Sequence, residues 1–194
     1  YFDGCTNLRS WICMPLIAGL QNRSEGTVRA LLGKELMTEN GLLTEQGSST
    51  FWDRSTLYAL RGIYIAGQAD RATEFLSHYA RRRLLGDHVP YPIEAWPEGS
   101  QRHLAAESGL FCRVITEGLF GIRPTGFRSF DLTPSMPSGW NRMALRHIRA
   151  FENNFDLVIE KQPDGFLRVT LAISGRNPRA FRLRQGASLR IKLP

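Results

Sequence analysis

The spacing of apolar residues divides the chain into a helical part followed by a part built of strands. Up to about residue 120, apolar side chains recur every three or four positions, which is the period of an α-helix with one buried face. Because short turns alternate with longer polar loops, we expect neighbouring helices to run antiparallel. Pro15 should kink the first helix or lie in its first turn. The predicted helices cover residues 8–20, 24–36, 55–66, 69–85 and 104–120.

Beyond Met143 the apolar residues alternate with a period of two, which is typical of half-buried strands. Residues 155–161 and 166–173 flank a Gln-Pro-Asp-Gly turn and predict a β-hairpin. Residues 180–184 and 189–193 predict a second hairpin around residues 185–188. The expected fold class is therefore α+β, with helices first and a small antiparallel β-sandwich or sheet at the end. We place the domain boundary after residue 126, which gives domains 1–126 and 127–194.

Composition and charge argue against several classes of function. The 194 residues carry 25 basic and 18 acidic side chains, a net charge of +7. Nucleic-acid binders usually cluster their positive charge, whereas arginine occurs along this whole chain, so we expect no nucleic-acid partner. No apolar run reaches membrane-spanning length, and no membrane partner is expected. Three cysteines and four scattered histidines form no ligand motif, so neither a metal nor a cofactor is expected.

The loop between the fourth and fifth predicted helices is the first candidate site. It is broken by prolines and mixes aromatic side chains with carboxylates. Glu94 lies between Tyr91 and Trp96, while Glu98 and Gln101 follow. An acidic group among aromatics, on a loop that leads into a rigid helix, is typical of a sugar-cleaving site. The alternative for Glu94 is a solvated loop carboxylate.

A second candidate cluster precedes the third predicted helix. Trp52 offers a flat apolar face for a sugar ring, and Asp53 and Arg54 offer groups that bind hydroxyls. The alternative for Trp52 is ordinary core packing. Asp53 equally fits the N-cap of a helix that begins near Ser55.

Four stretches of the chain carry a resemblance to a known family. They are Phe51-Trp-Asp-Arg54 with Arg61-Gly62, Tyr91-Pro-Ile-Glu-Ala-Trp96, Ser108-Gly-Leu-Phe with Glu117-Gly-Leu-Phe-Gly-Ile122, and Asp131-Leu-Thr-Pro-Ser-Met-Pro-Ser-Gly-Trp140. Together they resemble the C-terminal part of the (α/α)6-barrel inverting glycoside hydrolases, the group of the trehalases and processing α-glucosidases. The resemblance implies helical hairpins of an incomplete (α/α)6 toroid over residues 1–126, followed by a C-terminal β module.

The resemblance further implies hydrolysis of O-glycosidic bonds. Such enzymes use two carboxyl groups about 6.5–9.5 Å apart, one as general acid and one as general base. Glu94 matches the base, and the acid belongs to a segment outside this chain. Trp52, Asp53, Arg54, Tyr91, Trp96, Glu98 and Gln101 would bind the substrate.

The expected partners are an oligosaccharide or glycoside, and the remainder of the barrel from an upstream segment or another chain. Three alternatives stay open. The chain could be a non-catalytic carbohydrate-binding or structural fragment. It could also belong to a sugar phosphorylase or a sugar epimerase built on the same barrel.

Overall fold

A computed structural model describes residues 6–85, 95–96 and 105–194, with residues 95, 96 and 105 described by their backbone alone. The chain divides into two compact units, Tyr1–Gly118 and Leu119–Pro194. The first unit is mainly helical and the second is built of strands, so the predicted α+β class is confirmed. In the described part of the chain, no helix is both long enough and apolar enough to cross a membrane.

The helical unit is centred on α3 (Asp53–Ile65), which contacts the 3₁₀-helix at Ser10–Cys13, α1 (Met14–Ile17), α4 (Ala69–Arg83) and α5 (Ala105–Arg113). Its buried residues include Leu57, Leu60, Ile63 and Tyr64, so apolar side chains at helical spacing drive its packing. Pro15 lies in the first turn of α1, where its missing N–H costs nothing. The elements are a 3₁₀-helix at Ser10–Cys13, α1 (Met14–Ile17), α2 (Ser24–Leu31), α3 (Asp53–Ile65), α4 (Ala69–Arg83), α5 (Ala105–Arg113) and a π-helix at Val114–Leu119.

Two short antiparallel ladders tie the loops of this unit together. The strands are β1 (Met37–Thr38), β2 (Gly41–Leu42), β3 (Phe51–Trp52) and β4 (Ala95–Trp96). β1 pairs with β2, and β3 pairs with β4. The buried Thr56 hydroxyl on α3 accepts a hydrogen bond from the Leu42 N–H at 2.8 Å. The first ladder is therefore anchored directly to the central helix.

The prediction of an incomplete (α/α)6 toroid is wrong. Such a toroid repeats hairpins of two full-length helices, but among the described residues only α3 and α4, of 13 and 15 residues, form such a hairpin. The first predicted helix is split into a 3₁₀-helix and a four-residue α-helix, because Pro15 and Gly19 limit its length. α2 has eight residues. The helical period was read correctly, but it does not fix how many hairpins repeat.

The second unit contains a four-stranded and a three-stranded antiparallel sheet. The strands are β5 (Ile122–Gly126), β6 (Ser129–Leu132), β7 (Arg142–Ala150), β8 (Asn153–Lys161), β9 (Phe166–Ile173), β10 (Arg179–Arg184) and β11 (Leu189–Lys192). The four-stranded sheet has the order β10-β9-β8-β7, and the three-stranded sheet has the order β11-β6-β5. Phe130 of β6 stacks 6.0 Å from Phe155 of β8, so the two sheets share a core, as expected for a small sandwich.

The first predicted hairpin is confirmed and the second is wrong. β8 and β9 pair around a turn in which Gly165 has φ +80° and its N–H donates to the Gln162 carbonyl. β10 and β11 do not pair with each other: β10 extends the four-stranded sheet beside β9, whereas β11 pairs with β6. The Gln185 side chain donates to the Met136 carbonyl at 2.8 Å, which holds the connection where the chain changes sheets.

Gly121 is the tightest backbone approach in the second unit. Its φ is +65°, and a Cβ built there would lie 1.9 Å from the Thr133 carbonyl oxygen. Substitution by alanine therefore adds a steric clash to the left-handed penalty, and we expect Gly121→Ala to lower the free energy of unfolding by about 3 kcal/mol. Gly175→Ala is the matched control, because Gly175 also has positive φ but a Cβ added there would meet nothing within 4 Å. Urea unfolding of both variants followed by circular dichroism measures the difference, and equal losses would contradict this assignment.

Candidate functional site

Three half-buried aromatic side chains meet at the start of α3. The rings of Trp11 and Trp52 are 5.6 Å apart in an edge-to-face arrangement, and those of Trp11 and Tyr58 are 5.9 Å apart. Trp11 comes from the 3₁₀-helix, Trp52 from β3 and Tyr58 from the second turn of α3. We call Trp11, Trp52 and Tyr58 the aromatic platform. Each of these side chains keeps part of its surface exposed to solvent.

The pairing of β3 with β4 brings the two predicted site segments together. Phe51 lies opposite Trp96 and Trp52 lies opposite Ala95 in an antiparallel ladder. Residues 95–96 belong to the proline-rich loop, whereas residues 51–52 lead into α3. Residues more than 40 positions apart in sequence thus meet beside the platform. The ladder is the structural basis for treating the two segments as one site.

Asp53 forms a buried ion pair with Arg83 of α4. The carboxylate is fully buried and accepts hydrogen bonds from Arg83 Nε at 3.2 Å and Nη2 at 3.0 Å. Burial, and after it the nearby Asp53 carboxylate, raise the pKa of Tyr79 well above its usual value. Asp53 is the first residue of α3 and Trp52 is its N-cap residue. The Asp53 carboxylate therefore links the beginning of α3 to the end of α4.

Arg54 lies at the edge of the platform and contacts α5. Its Nε donates to Glu107 Oε1 at 2.7 Å, and its side chain is about one-third exposed. Glu107 is fully buried, and its Oε2 has no hydrogen-bond partner among the described residues. A buried carboxylate oxygen without a donor is costly.

A second charged cluster lies beyond Tyr58. Glu117 of the π-helix forms an ion pair with Arg61, whose Nη1 lies 2.9 Å from Oε2, and accepts a hydrogen bond from Arg113 Nη2 at 2.9 Å. The Arg61 guanidinium lies 5.6 Å from the Tyr58 ring centre. Burial lowers the pKa of Arg61, and the negative charge of Glu117 opposes this shift. The hydrogen bond to Glu117 raises the pKa of Arg113. The platform is therefore bordered by charges on both sides along α3.

The predicted site residues fall into three groups. Trp52 and Arg54 lie at the platform. Asp53 is fully buried and paired with Arg83. Trp96 is described by its backbone alone, opposite Phe51. Outside the described residues lie Tyr91, Glu94, Glu98 and Gln101.

The sequence analysis did not select Trp11, Tyr58, Glu107 or Arg113 as site residues. A signal for part of the set was present, since Arg54, Tyr58 and Arg61 are spaced i, i+4, i+7 and therefore share one face of α3. Trp11 carried no such signal, because its position beside Trp52 depends on the packing of the 3₁₀-helix and α1 against α3.

The site has the chemistry of a surface for polar ligands with apolar faces. A pyranose ring presents C–H groups on its faces and hydroxyls around its edge, which match aromatic rings bordered by arginine and carboxylate groups. The described residues include no group of three or more His, Cys, Asp or Glu side chains placed to hold a metal ion. Cys13 is buried, and burial raises its pKa to about 12, so its thiol is a packing group.

Searches against protein-family models and against curated proteins find no match to this chain.

Proposed function

We propose that this chain is part of a carbohydrate-active protein and that a sugar ring binds on the aromatic platform. The observation that carries the proposal is the meeting of Trp11, Trp52 and Tyr58, each half-buried, between two clusters of arginines and carboxylates. Aromatic faces would bind the C–H side of the ring, and Arg54 would donate to its hydroxyls. Sugar binding at this site does not require an (α/α)6 barrel.

We further propose that the reaction is inverting hydrolysis of an O-glycosidic bond, with Glu94 as the general base. The support is chain proximity, since Glu94 immediately precedes Ala95, whose backbone pairs with that of Trp52. A base in this position would activate a water molecule on one side of a sugar lying on the platform. The general acid would come from outside this chain.

A non-catalytic carbohydrate-binding role is the second candidate, and one observation favours it. The carboxylates described near the platform, Asp53, Glu107 and Glu117, are each bound to an arginine. Carboxylates held in this way suit binding better than proton transfer. The two roles share the same platform and differ only in whether Glu94 activates water.

Replacement of Trp52 by alanine tests the platform. Loss of one stacking face should weaken sugar binding by about 1.5 kcal/mol, or roughly tenfold in Kd. The measurement is isothermal titration of the intact protein with the uncharged sugars maltotriose and cellotriose, to find the sugar that binds and then to compare variants.

Trp140→Ala is the matched control, because Trp140 is also partly exposed but belongs to the second unit. We expect it to bind sugar as the wild type does. Both variants are first checked for folding by thermal melts. Unchanged affinity in a folded Trp52→Ala protein would remove the platform from the proposal.

A further inference from the structure

The net positive charge of the chain comes from the second unit. Residues 119–194 contain 13 of the 25 basic residues but only five of the 18 acidic ones, so this unit carries a net charge of +8. Residues 1–118 contain 12 basic and 13 acidic residues. The overall +7 therefore combines a strongly basic β unit with a nearly neutral helical one. An asymmetry of this kind indicates a partner of opposite charge.

Each of the five carboxylates in the β unit is already bound to one arginine. Asp164 pairs with Arg182 at 2.7 Å, and Asp156 pairs with Arg146 at 3.5 Å. The remaining pairs are Arg128–Glu152, Arg142–Glu160 and Arg190–Asp131. Within this unit, whose residues are all described, eight basic side chains have no ion-pair partner. Arg168 and Arg184 are among them, and both are exposed.

Three arginines share the outer face of the four-stranded sheet. Arg182 of β10 lies directly opposite Arg168 of β9, and Arg184 lies opposite Phe166. Directly opposed residues, and residues two apart on one strand, point to the same side of a sheet. The Arg182 guanidinium lies 3.6 Å from the centre of the Phe166 ring, and that of Arg184 lies 5.5 Å from it. We call Arg168, Arg182 and Arg184 the arginine face.

Arg168 lies opposite Arg182 on β10 and opposite Glu160 on β8, and Arg182 pairs with Asp164. Glu160 also pairs with Arg142 of β7, so the two carboxylates offset only part of the positive charge on this side of the sheet. A bound anion would offset the rest. The planar arginine side chains held over Phe166 are ordered donors that suit bidentate binding of carboxylates.

We propose that the arginine face binds an acidic polysaccharide whose sugar rings each carry a carboxylate. This inference deepens the proposed function and rests on it, since it names the class of carbohydrate that the protein holds. Single-stranded nucleic acid fits less well, because it needs free aromatic faces for stacking, whereas Phe166 is already covered by guanidinium groups. Double-stranded DNA is left as an outcome of the test. The charge of the face and the covered ring together favour carboxylates.

The test is binding of polygalacturonate to the intact protein at 50 mM and 300 mM sodium chloride. Two probes accompany it: fully methyl-esterified polygalacturonate, which has the same backbone without charge, and a DNA duplex. Screening by salt should weaken polygalacturonate binding. The Arg168→Gln/Arg184→Gln protein should lose roughly tenfold in affinity for each arginine removed. Arg176→Gln is the matched control, an exposed arginine in the turn between β9 and β10.

The outcomes distinguish binding at the arginine face from binding at the aromatic platform. Trp52→Ala should leave polygalacturonate binding to the arginine face unchanged, so failure of the platform would appear only in the trisaccharide titrations. Equal binding of the esterified polymer, tighter binding of the DNA duplex, or equal losses in Arg176→Gln and the double variant would each overturn the arginine face as an acidic-polysaccharide site. Thermal melts of every variant confirm that the unit is folded.

Discussion

Replacement of Arg83 by methionine is expected to destabilise the helical unit by about 3–5 kcal/mol, the usual cost of removing one partner from a buried ion pair. Asp53 is fully buried and Arg83 is 4% exposed, and two hydrogen bonds join them. Without the guanidinium, the Asp53 carboxylate would remain in an environment that cannot solvate its charge. Thermal and urea unfolding of the intact protein measure the loss.

Arg82→Met is the matched control for this experiment. Arg82 is the neighbouring residue on α4 and pairs with Glu39 at 3.0 Å, but both side chains are largely exposed. An exposed pair contributes about 0–1 kcal/mol, so the control should unfold almost as the wild type does. Replacing both buried partners, as in Asp53→Leu/Arg83→Met, should recover much of the stability. A loss below about 1 kcal/mol in Arg83→Met would contradict the structural role of the pair.

Replacement of Glu94 by glutamine is expected to lower kcat by about two to four powers of ten, the usual contribution of a general base. Glutamine keeps the shape of the side chain and removes its ability to accept a proton. Sugar binding should persist, because in this account the aromatic platform and Arg54 bind the ring. The measurement is release of reducing sugar by the intact protein, with kcat and KM determined separately.

Glu98→Gln is the control, since it removes a second carboxylate from the same loop. We expect it to affect kcat much less than Glu94→Gln does. If only Glu98→Gln loses turnover, the base is Glu98. If both variants retain turnover, hydrolysis at this loop is ruled out, and the carbohydrate-binding role becomes the better account.

The long helices and the central hairpin were predictable because local signals were strong. α3 and α4 carry continuous apolar stripes, and their bounds at Asp53–Ile65 and Ala69–Arg83 lie close to the predicted 55–66 and 69–85. The β8–β9 hairpin follows from alternation on both sides of a turn that contains Gly165. The hydrophobic period and the turn residues are local properties of the sequence, and tertiary contacts did not change the elements that they predict.

The misplaced elements depend on distant contacts. β10 and β11 both alternate correctly, but their partners are set by how each sheet fills its core, so adjacency in sequence suggested the wrong pairing. Similarly, the helical period of the first unit could not specify a toroid, because the pattern of one helix does not determine how many hairpins repeat. Local resemblance at four stretches was too weak to settle the architecture.

The residues of the candidate site also divide into those with a local sequence signal and those that depend on tertiary contacts. Trp52 and Arg54 were selected from one short segment next to a helix start. Trp11 joins them only through tertiary packing, and the Arg54–Glu107 contact spans 53 positions. Asp53 was selected as a binding residue because it is polar and adjacent to Trp52, but its carboxylate lies in a buried ion pair. The sequence thus selected a segment at the start of α3, and the structure shows what each of its side chains contacts.

The measurement that most directly tests the carbohydrate platform is ¹⁹F NMR of the intact protein with 5-fluorotryptophan at its four tryptophans. Single Trp→Phe variants assign the resonances. On titration with the trisaccharide that binds most tightly, the Trp11 and Trp52 resonances should shift together and saturate at the same sugar concentration, while that of Trp140 stays in place. A saturable shift of Trp140 alone, or unchanged Trp11 and Trp52 resonances at saturating sugar, would contradict the account.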